Sequence, residues 1–165
     1  KHGKGVYSFE DGRRYTGEWK AGDRCGKGML TFLSGDVYVG EWQEDRFHGE
    51  GKYEYADGDA YEGSFRQGQR EGFGVLRSMD DSSYSGEWKA GNQEGKGTLT
   101  HADGERYKGE WKNGVKEGEG ILIYADSARY DGQFKADLMD GLGTFTKSNG
   151  EIQTGQWKRG VFLTK

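Results

Sequence analysis

The phrase Tyr-x-Gly-x-Trp returns at a fixed interval along this chain, and nothing else in the sequence restricts the fold so severely. Tyrosine stands at Tyr15, Tyr38, Tyr61, Tyr84, Tyr107 and Tyr130, with Gln153 in the seventh place, each step being 23 residues. Two residues on come Gly17, Gly40, Gly63, Gly86, Gly109, Gly132 and Gly155. Two further stand Trp19, Trp42, Phe65, Trp88, Trp111, Phe134 and Trp157. A Gly-x-Gly pair keeps the same period, starting at Gly3, Gly26, Gly49, Gly72, Gly95, Gly118 and Gly141. Seven units with no insertion or deletion define a solenoid-type array, in which each unit packs on its neighbours.

Inside a unit the pattern has period two. Gly97, Leu99 and His101 alternate with Thr98, Thr100 and Ala102; after a turn, Tyr107, Gly109 and Trp111 alternate with Lys108, Glu110 and Lys112. Two alternating runs around an Asp-Gly pair read as a β-hairpin. The turn recurs at Asp11-Gly12, Ser34-Gly35, Asp57-Gly58, Asp103-Gly104 and Asn149-Gly150, and its motif is lost at Asp80-Asp81 and Asp126-Ser127. A second loop, residues 112–118 in one unit, leads into the next hairpin. The expected fold is all-β: an elongated single antiparallel sheet of about seven consecutive hairpins, shaped as a twisted ribbon or gutter. At ~4.8 Å per strand it would run roughly 65–70 Å.

Such a sheet has no second layer, so it must bury apolar surface against itself. Only 32% of residues are hydrophobic, yet 14% are aromatic, which disordered chains are not. Alternation places the tyrosines and the Trp/Phe residues on one face, with charged residues on the other. Glycine inside a strand marks close approach by another group, and a Tyr or Trp ring lying over the bare backbone supplies it. The stripe Tyr15, Trp19, Tyr38, Trp42, Tyr61, Phe65, Tyr84, Trp88, Tyr107, Trp111, Tyr130, Phe134 and Trp157 is therefore the expected packing surface and the floor of any groove. A further slot holds Phe9, Phe32, Tyr55 and Tyr124 but Ser78, His101 and Lys147 elsewhere, so the groove should be least apolar near the fourth and fifth units.

Several classes of function are excluded. The 24 basic and 28 acidic residues are mixed along the chain, with no single-sign arm for nucleic acid. Glycine accounts for 31 residues and proline for none, which is not a collagen. One cysteine, Cys25, fits a reducing, cytoplasmic setting, and no run approaches the ~20 apolar residues of a membrane helix. There is no signal peptide, and because the chain starts with Lys1 in mid-unit, 1–165 reads as a single array cut from a longer repeat protein. No catalytic triad, P-loop or dinucleotide fingerprint occurs in a supporting context, so no enzyme and no cofactor are expected.

The unit Tyr-x-Gly-x-Trp, loop, Gly-x-Gly, apolar pair and Asp-Gly resembles the MORN repeat (membrane occupation and recognition nexus) over essentially all of the chain. The resemblance implies consecutive hairpins in one elongated sheet. Similar repeats occur in junctional membrane proteins, beside lipid-kinase and methyltransferase domains, and in protozoan cytoskeletal scaffolds. This chain, being repeat-only, looks most like the scaffolds, some of which are similar to antiparallel dimers joined through their last repeats. The implied function is a non-enzymatic, cytoskeleton-associated scaffold with protein partners; the alternative is a peripheral membrane module for anionic phospholipid or phosphoinositide.

Four sets of candidate residues follow. Leu138 and Met139 replace polar residues in one loop, and Val161, Phe162 and Leu163 follow the last strand; these either fold back as a cap or join two copies in an isologous homodimer. Lys89, Lys96, Lys112 and Lys116 line one edge as a candidate lipid contact, with Glu94, Glu117 and Asp140 among them. His2, Cys25 and His48 share one slot of three successive units, but at ~10 Å between equivalents they cannot readily share a zinc ion, whose ligand atoms lie within ~2.3 Å. A site shared across a dimer is the alternative. Glu18, Glu41, Glu87 and Glu110 are expected to form a solvated ladder salt-bridged to Lys20, Lys89 and Lys112.

Overall fold

A computed structural model describes residues 1–163. Fifteen strands form one open antiparallel sheet in strict sequence order, β1 beside β2 through to β15. The odd strands are β1 Gly3–Ser8, β3 Asp23–Thr31, β5 Arg46–Glu54, β7 Gln69–Arg77, β9 Asn92–Thr100, β11 Val115–Ile123, β13 Leu138–Thr146 and β15 Val161–Phe162. The even strands are β2 Arg14–Lys20, β4 Val37–Gln43, β6 Ala60–Arg66, β8 Ser83–Lys89, β10 Arg106–Lys112, β12 Arg129–Lys135 and β14 Ile152–Lys158. Two compact units are distinguished, Lys1–Met79 with Trp88–Gly91, and Asp80–Glu87 with Asn92 onwards.

The second loop of the repeat is shorter than its sequence implies. Residues 112–118 contain only a two-residue turn, Asn113-Gly114, after which β11 starts at once. Both central residues have positive φ, as a type I′ hairpin requires: Ala21 and Gly22 are at 52° and 104°, Asn113 and Gly114 at 49° and 83°. Aspartate takes the glycine position at Asp45 and Asp137, where its carboxylate accepts a 2.8 Å hydrogen bond from the backbone N–H of Arg24 or Lys116. Leu138, Met139, Lys116, Cys25 and His48 thus lie on strands and not in loops. The other turn survives where its glycine is absent, because Asp81 and Ser127 adopt the left-handed conformation at 67° and 70°. Asp80 and Asp126 still accept from Ser82 N and Ala128 N at 2.9 Å.

The Gly-x-Gly pair does two separate jobs. Its first member sits in a bulge: Gly17 pairs with Gly28 but Glu18 with Cys25, leaving Gly26 and Lys27 without partners on β2. Gly26 is at φ 55°, and a Cβ there would lie 2.7 Å from the Glu18 carboxyl carbon. Its second member faces a ring. A Cβ on Gly28 would lie 2.6 Å from Cε2 of Tyr15, and one on Gly17 would lie 2.6 Å from the Gly28 Cα. Pairing Gly5 with Gly17, Gly17 with Gly28, and Gly28 with Gly40 continues as a row of bare backbone under the tyrosines.

Packing follows from that row. Tyr15, Tyr38, Tyr61 and Tyr130 are 0% exposed, Tyr84 and Tyr107 1%. Each hydroxyl donates to the carbonyl three residues on, for example Tyr38 to Glu41 at 2.8 Å and Tyr107 to Glu110 at 2.9 Å. Trp19 meets the edge of Tyr15 from its own strand at 5.0 Å between centroids, and Trp42 does so from the next unit at 5.2 Å. Trp42 Nε1 donates to the Gly28 carbonyl at 3.2 Å, and Trp111 repeats the bond to Gly97. Burying 150–250 Å² per ring at ~25 cal/mol per Å² contributes roughly 4–6 kcal/mol each.

Gly51→Ala places a methyl group against the Tyr38 ring and should destabilise the protein by about 2–3 kcal/mol, whereas Tyr38→Phe, losing one hydrogen bond, should cost about 1 kcal/mol. Urea denaturation of both variants gives the comparison, and equal costs would show that the ring does not occlude the glycine.

Candidate functional site

The aromatic face carries a second periodic slot, four residues before the bulge-proximal glycine row resumes, that sequence reading passed over. Arg24, Phe47, Arg70, Gln93, Lys116, Met139 and Phe162 are 23 apart and lie opposite or beside the Trp/Phe position, as in Trp19 with Arg24, Trp42 with Phe47 and Trp111 with Lys116. Cations there cover rings. Arg24 lies 4.3 Å above Trp42, Arg70 4.1 Å above Trp88, and Lys116 5.2 Å from the Tyr107 centroid. Arg24 is also pinned by Asp45, Nε to Oδ1 and Nη2 to the backbone carbonyl at 2.9 Å each. Its Nη1, among the described residues, is a buried side-chain donor with no acceptor, an omission that costs about 1–3 kcal/mol. The periodicity of 23 was the signal that could have found this slot.

The candidate lysines do not gather. Lys112 pairs with Val115 and alternates with Trp111, so it lies on the polar face, while Lys116 pairs with Trp111 and lies on the aromatic face. Lys96 and Lys112 line a surface depression together with Glu87, Glu94, Glu110 and Glu117, where carboxylates outnumber ammonium groups. Lys89 is exposed at the end of β8. No helix long and apolar enough to cross a membrane occurs among the described residues.

The glutamate ladder is corrected. None of the ion pairs among the described residues joins Glu18, Glu41, Glu87 or Glu110 to a lysine. These carboxylates sit against the bulge glycines Gly26, Gly49, Gly95 and Gly118. Glu87 accepts from Lys96 N at 3.0 Å and Glu18 from Lys27 N at 3.3 Å. Glu18 and Glu87 thereby cap a backbone N–H that the bulge leaves without a strand partner.

The slot of His2, Cys25 and His48 finds an equally structural explanation. Its later occupants, Glu71, Glu94, Glu117 and Asp140, accept from the turn N–H of Ala90, Asn113, Ala136 and Arg159 at 2.9–3.3 Å. Among the described residues no group of three or more His, Cys, Asp or Glu is placed to hold a metal ion.

The C-terminal apolar residues divide between the two faces. Phe162 pairs with Trp157, its ring 5.1 Å away and covering Gly155, and Met139 is half-buried opposite Phe134. Leu138 and Val161 pair with Lys135 and Lys158 on the polar face. Leu142 and Ile152, which sequence reading did not single out, lie on that face opposite Gln156 and Thr146 and are 63% and 66% exposed. Leu163 is 47% exposed.

With this lattice of tyrosine, glycine and tryptophan in place, the family comparison is decisive. The MORN-repeat model matches residues 1–13, 15–37, 38–60, 61–83, 84–106, 107–129 and 130–152. The chain belongs to the MORN-repeat family. No curated protein sequence matches this MORN array. Among solved structures it is similar to the SAS-4 (dCPAP) TCP domain of Drosophila melanogaster in complex with a proline-rich motif of Ana2 (dSTIL), at 13% identity over 94% of this chain and 90% of that one, TM-score 0.49. The TCP10 domain of Danio rerio CPAP gives 14% identity over 92% and 83%, TM-score 0.37. The G-box domain of the microcephaly protein CPAP gives 18% over 94% and 100%, TM-score 0.38. At these values none bears on what the MORN array binds.

Burial pushes the hydroxyls of Tyr15, Tyr61 and Tyr130 up to about 12 and raises those of Tyr38, Tyr84 and Tyr107 for the same reason. An unfolded tyrosine ionises near ~10, so the stability these groups contribute is complete below that pH and is lost as pH rises through about 10–12. Absorbance at the phenolate band with circular dichroism should show the six ionising only as the sheet unfolds. Their ionisation near the ordinary value with the sheet intact would contradict the burial.

Proposed function

We propose that this MORN array is a non-enzymatic interaction scaffold, cytoplasmic and cytoskeleton-associated, that self-associates through its C-terminal repeats and docks protein partners. The observation that carries the reading is that Leu138, Leu142, Ile152 and Val161 are all exposed on the polar face of the last three strands, with Leu163 exposed after them; elsewhere that face exposes Val6, Met29, Val39 and Phe73 among its charged and polar residues. Taking exposed apolar side chains of this kind out of water is favourable at ~25 cal/mol per Å² of apolar surface. Phe162 and Met139 are engaged on the aromatic face, so they stiffen the end of the sheet and leave the interface to the five others. Two copies related by a twofold axis would present the same residues to one another and remove them from water. The cytoskeletal setting rests on the likeness to repeat-only MORN scaffolds.

A fold of this kind offers a partner many equivalent cells along one sheet, which suits docking and spacing. Anionic lipid is the weaker alternative, because the lysines that would meet headgroups are interleaved with carboxylates. Leu142→Glu with Ile152→Glu, both on exposed positions, should leave the circular dichroism spectrum unchanged and convert a dimer to a monomer by light scattering, weakening association by about 100-fold or more. A mass that is monomeric in the parent, or dimeric in the variant, would overturn the self-association reading.

A further inference from the structure

The hairpin tips of the first compact unit carry apolar side chains that the packing of the sheet does not use. Leu33, Ala56 and Met79 hold the same place in three successive units, just before the turn pairs Ser34-Gly35, Asp57-Gly58 and Asp80-Asp81. At 79% and 69%, Leu33 and Met79 are the most exposed large apolar residues among those described. The other tips have Glu10, Ala102, Ala125 and Ser148 in this place. Each of the three side chains reaches back to the tip before it. A Cβ on Gly12 would lie 3.1 Å from Leu33 Cδ1 and one on Gly35 3.4 Å from Ala56 Cβ, and Met79 faces Gly58 in the same way. Separate turns are thereby joined into one apolar ridge.

The ridge is held in place and bordered by negative charge. Asp36 accepts from Ala56 N at 2.8 Å and from the Tyr53 hydroxyl at 2.9 Å, and Asp59 accepts from Met79 N at 3.0 Å, so each tip is tied to the next. Asp57 accepts from Asp59 N at 3.2 Å. The bond from Ala56 N, with that from Tyr53, holds the Asp36 carboxyl below its ordinary range. None of these three carboxylates has a cation within 4 Å among the described residues. No Lys or Arg occurs between Phe32 and Asp36 or between Tyr55 and Asp59. Arg13, on the tip before, pairs with Asp11, while Lys52 and Arg77, on the strands below, pair with Glu54 and Glu62. Arg14 lies on the polar face opposite Thr31.

We propose that this ridge docks a basic amphipathic helix of another protein, its apolar stripe on Leu33, Ala56 and Met79 and its lysines or arginines beside Asp36, Asp57 and Asp59. The proposal rests on the interaction-scaffold reading and names a partner chemistry at residues other than the C-terminal group. Spacing selects the helix. The ridge runs across the strands with one member at every second strand, about 9.6 Å apart. Residues seven apart on a helix lie about 10.5 Å apart on nearly the same face. Same-face residues of an extended peptide recur instead at about 6.8 Å. The tips also offer an extended peptide no strand edge, because Gly35 N and Gly58 N already donate to the carbonyls of Phe32 and Tyr55 at 3.1 and 3.0 Å. Three anchors seven residues apart need a helix of about 15 residues. Charge selects the basic helix and repels an acidic one.

The test uses the whole chain and three fluorescein-labelled peptides of about 15 residues, read by anisotropy. One has leucines along a single helical stripe and lysines elsewhere. The second has the same residues shuffled so that no stripe forms, and the third has glutamate for lysine. The first should bind, become helical by circular dichroism, and lose affinity as salt rises from about 0.05 to about 0.5 M. The other two should bind at least about tenfold more weakly. Leu33→Ser with Met79→Ser should weaken the first peptide by about tenfold or more, whereas Phe73→Ser, exposed on the polar face, should leave it unchanged. Asp57→Asn, which keeps an acceptor for Asp59 N, should weaken it by about threefold at low salt. Equal binding of the striped and shuffled peptides, binding without helix, or no response to the paired serines in a folded protein would overturn the proposal. So would competition by phosphatidylserine vesicles with the same dependence on Leu33 and Met79, which would assign the ridge to membranes. Light scattering on the same samples keeps the two readings apart: a monomeric mass with peptide binding intact sinks self-association alone, and a dimer that binds no peptide sinks the ridge alone.

Discussion

Every other contact in this protein depends on a tyrosine ring lying flat over two glycines. Only bare backbone admits the ring, and only the ring gives that backbone an apolar cover. Once the ring is down, its hydroxyl donates to a carbonyl three residues along the same strand and is not left unpaired by its burial, as with Tyr38 and Glu41. The ring then presents its two edges to the Trp of its own strand and to that of the next unit. A single-layer sheet, which has no opposing layer to pack on, acquires a core in this way. The requirement is the same in six units, and so the tyrosine returns at every 23rd residue from Tyr15 to Tyr130; at the seventh place stands Gln153, and Phe162 covers Gly155.

That logic explains what was legible. The hairpins, the aromatic face and the close approach to glycine all follow from period-two alternation and the fixed interval, because they are local and repeated. What was hidden depended on backbone conformations that several residue types can adopt. Asp81 and Ser127 hold the left-handed turn position that glycine usually takes, so the turns persist without their motif. Glu18 and its equivalents look like surface charge, but the bulge at Gly26 turns a backbone N–H toward the carboxylate. The bulge shifts the register by two residues and cannot be read from alternation, which continues on either side of it. For the same reason a stretch that looked like loop, at Val115–Gly118, is strand.

Function in such an array resides where units differ, since what they share is structural. The slot of His2, Cys25 and His48 illustrates the danger of reading chemistry from residue type alone, because its later members are carboxylates that hold turns. The exposed C-terminal residues Leu138, Leu142, Ile152 and Val161 are departures of another kind, adding apolar surface without a packing role on the aromatic face.

The central claim is that ring and glycine are one interaction, and a double-mutant cycle measures it most directly. Tyr107→Leu and Gly120→Ala would be made singly and together, with unfolding free energies from urea titration. Occlusion of the glycine by the ring predicts that the alanine is far better tolerated once the ring is gone, with a coupling energy of about 1–3 kcal/mol. Additive losses would mean that tyrosine and glycine recur for unrelated reasons, and would contradict the account.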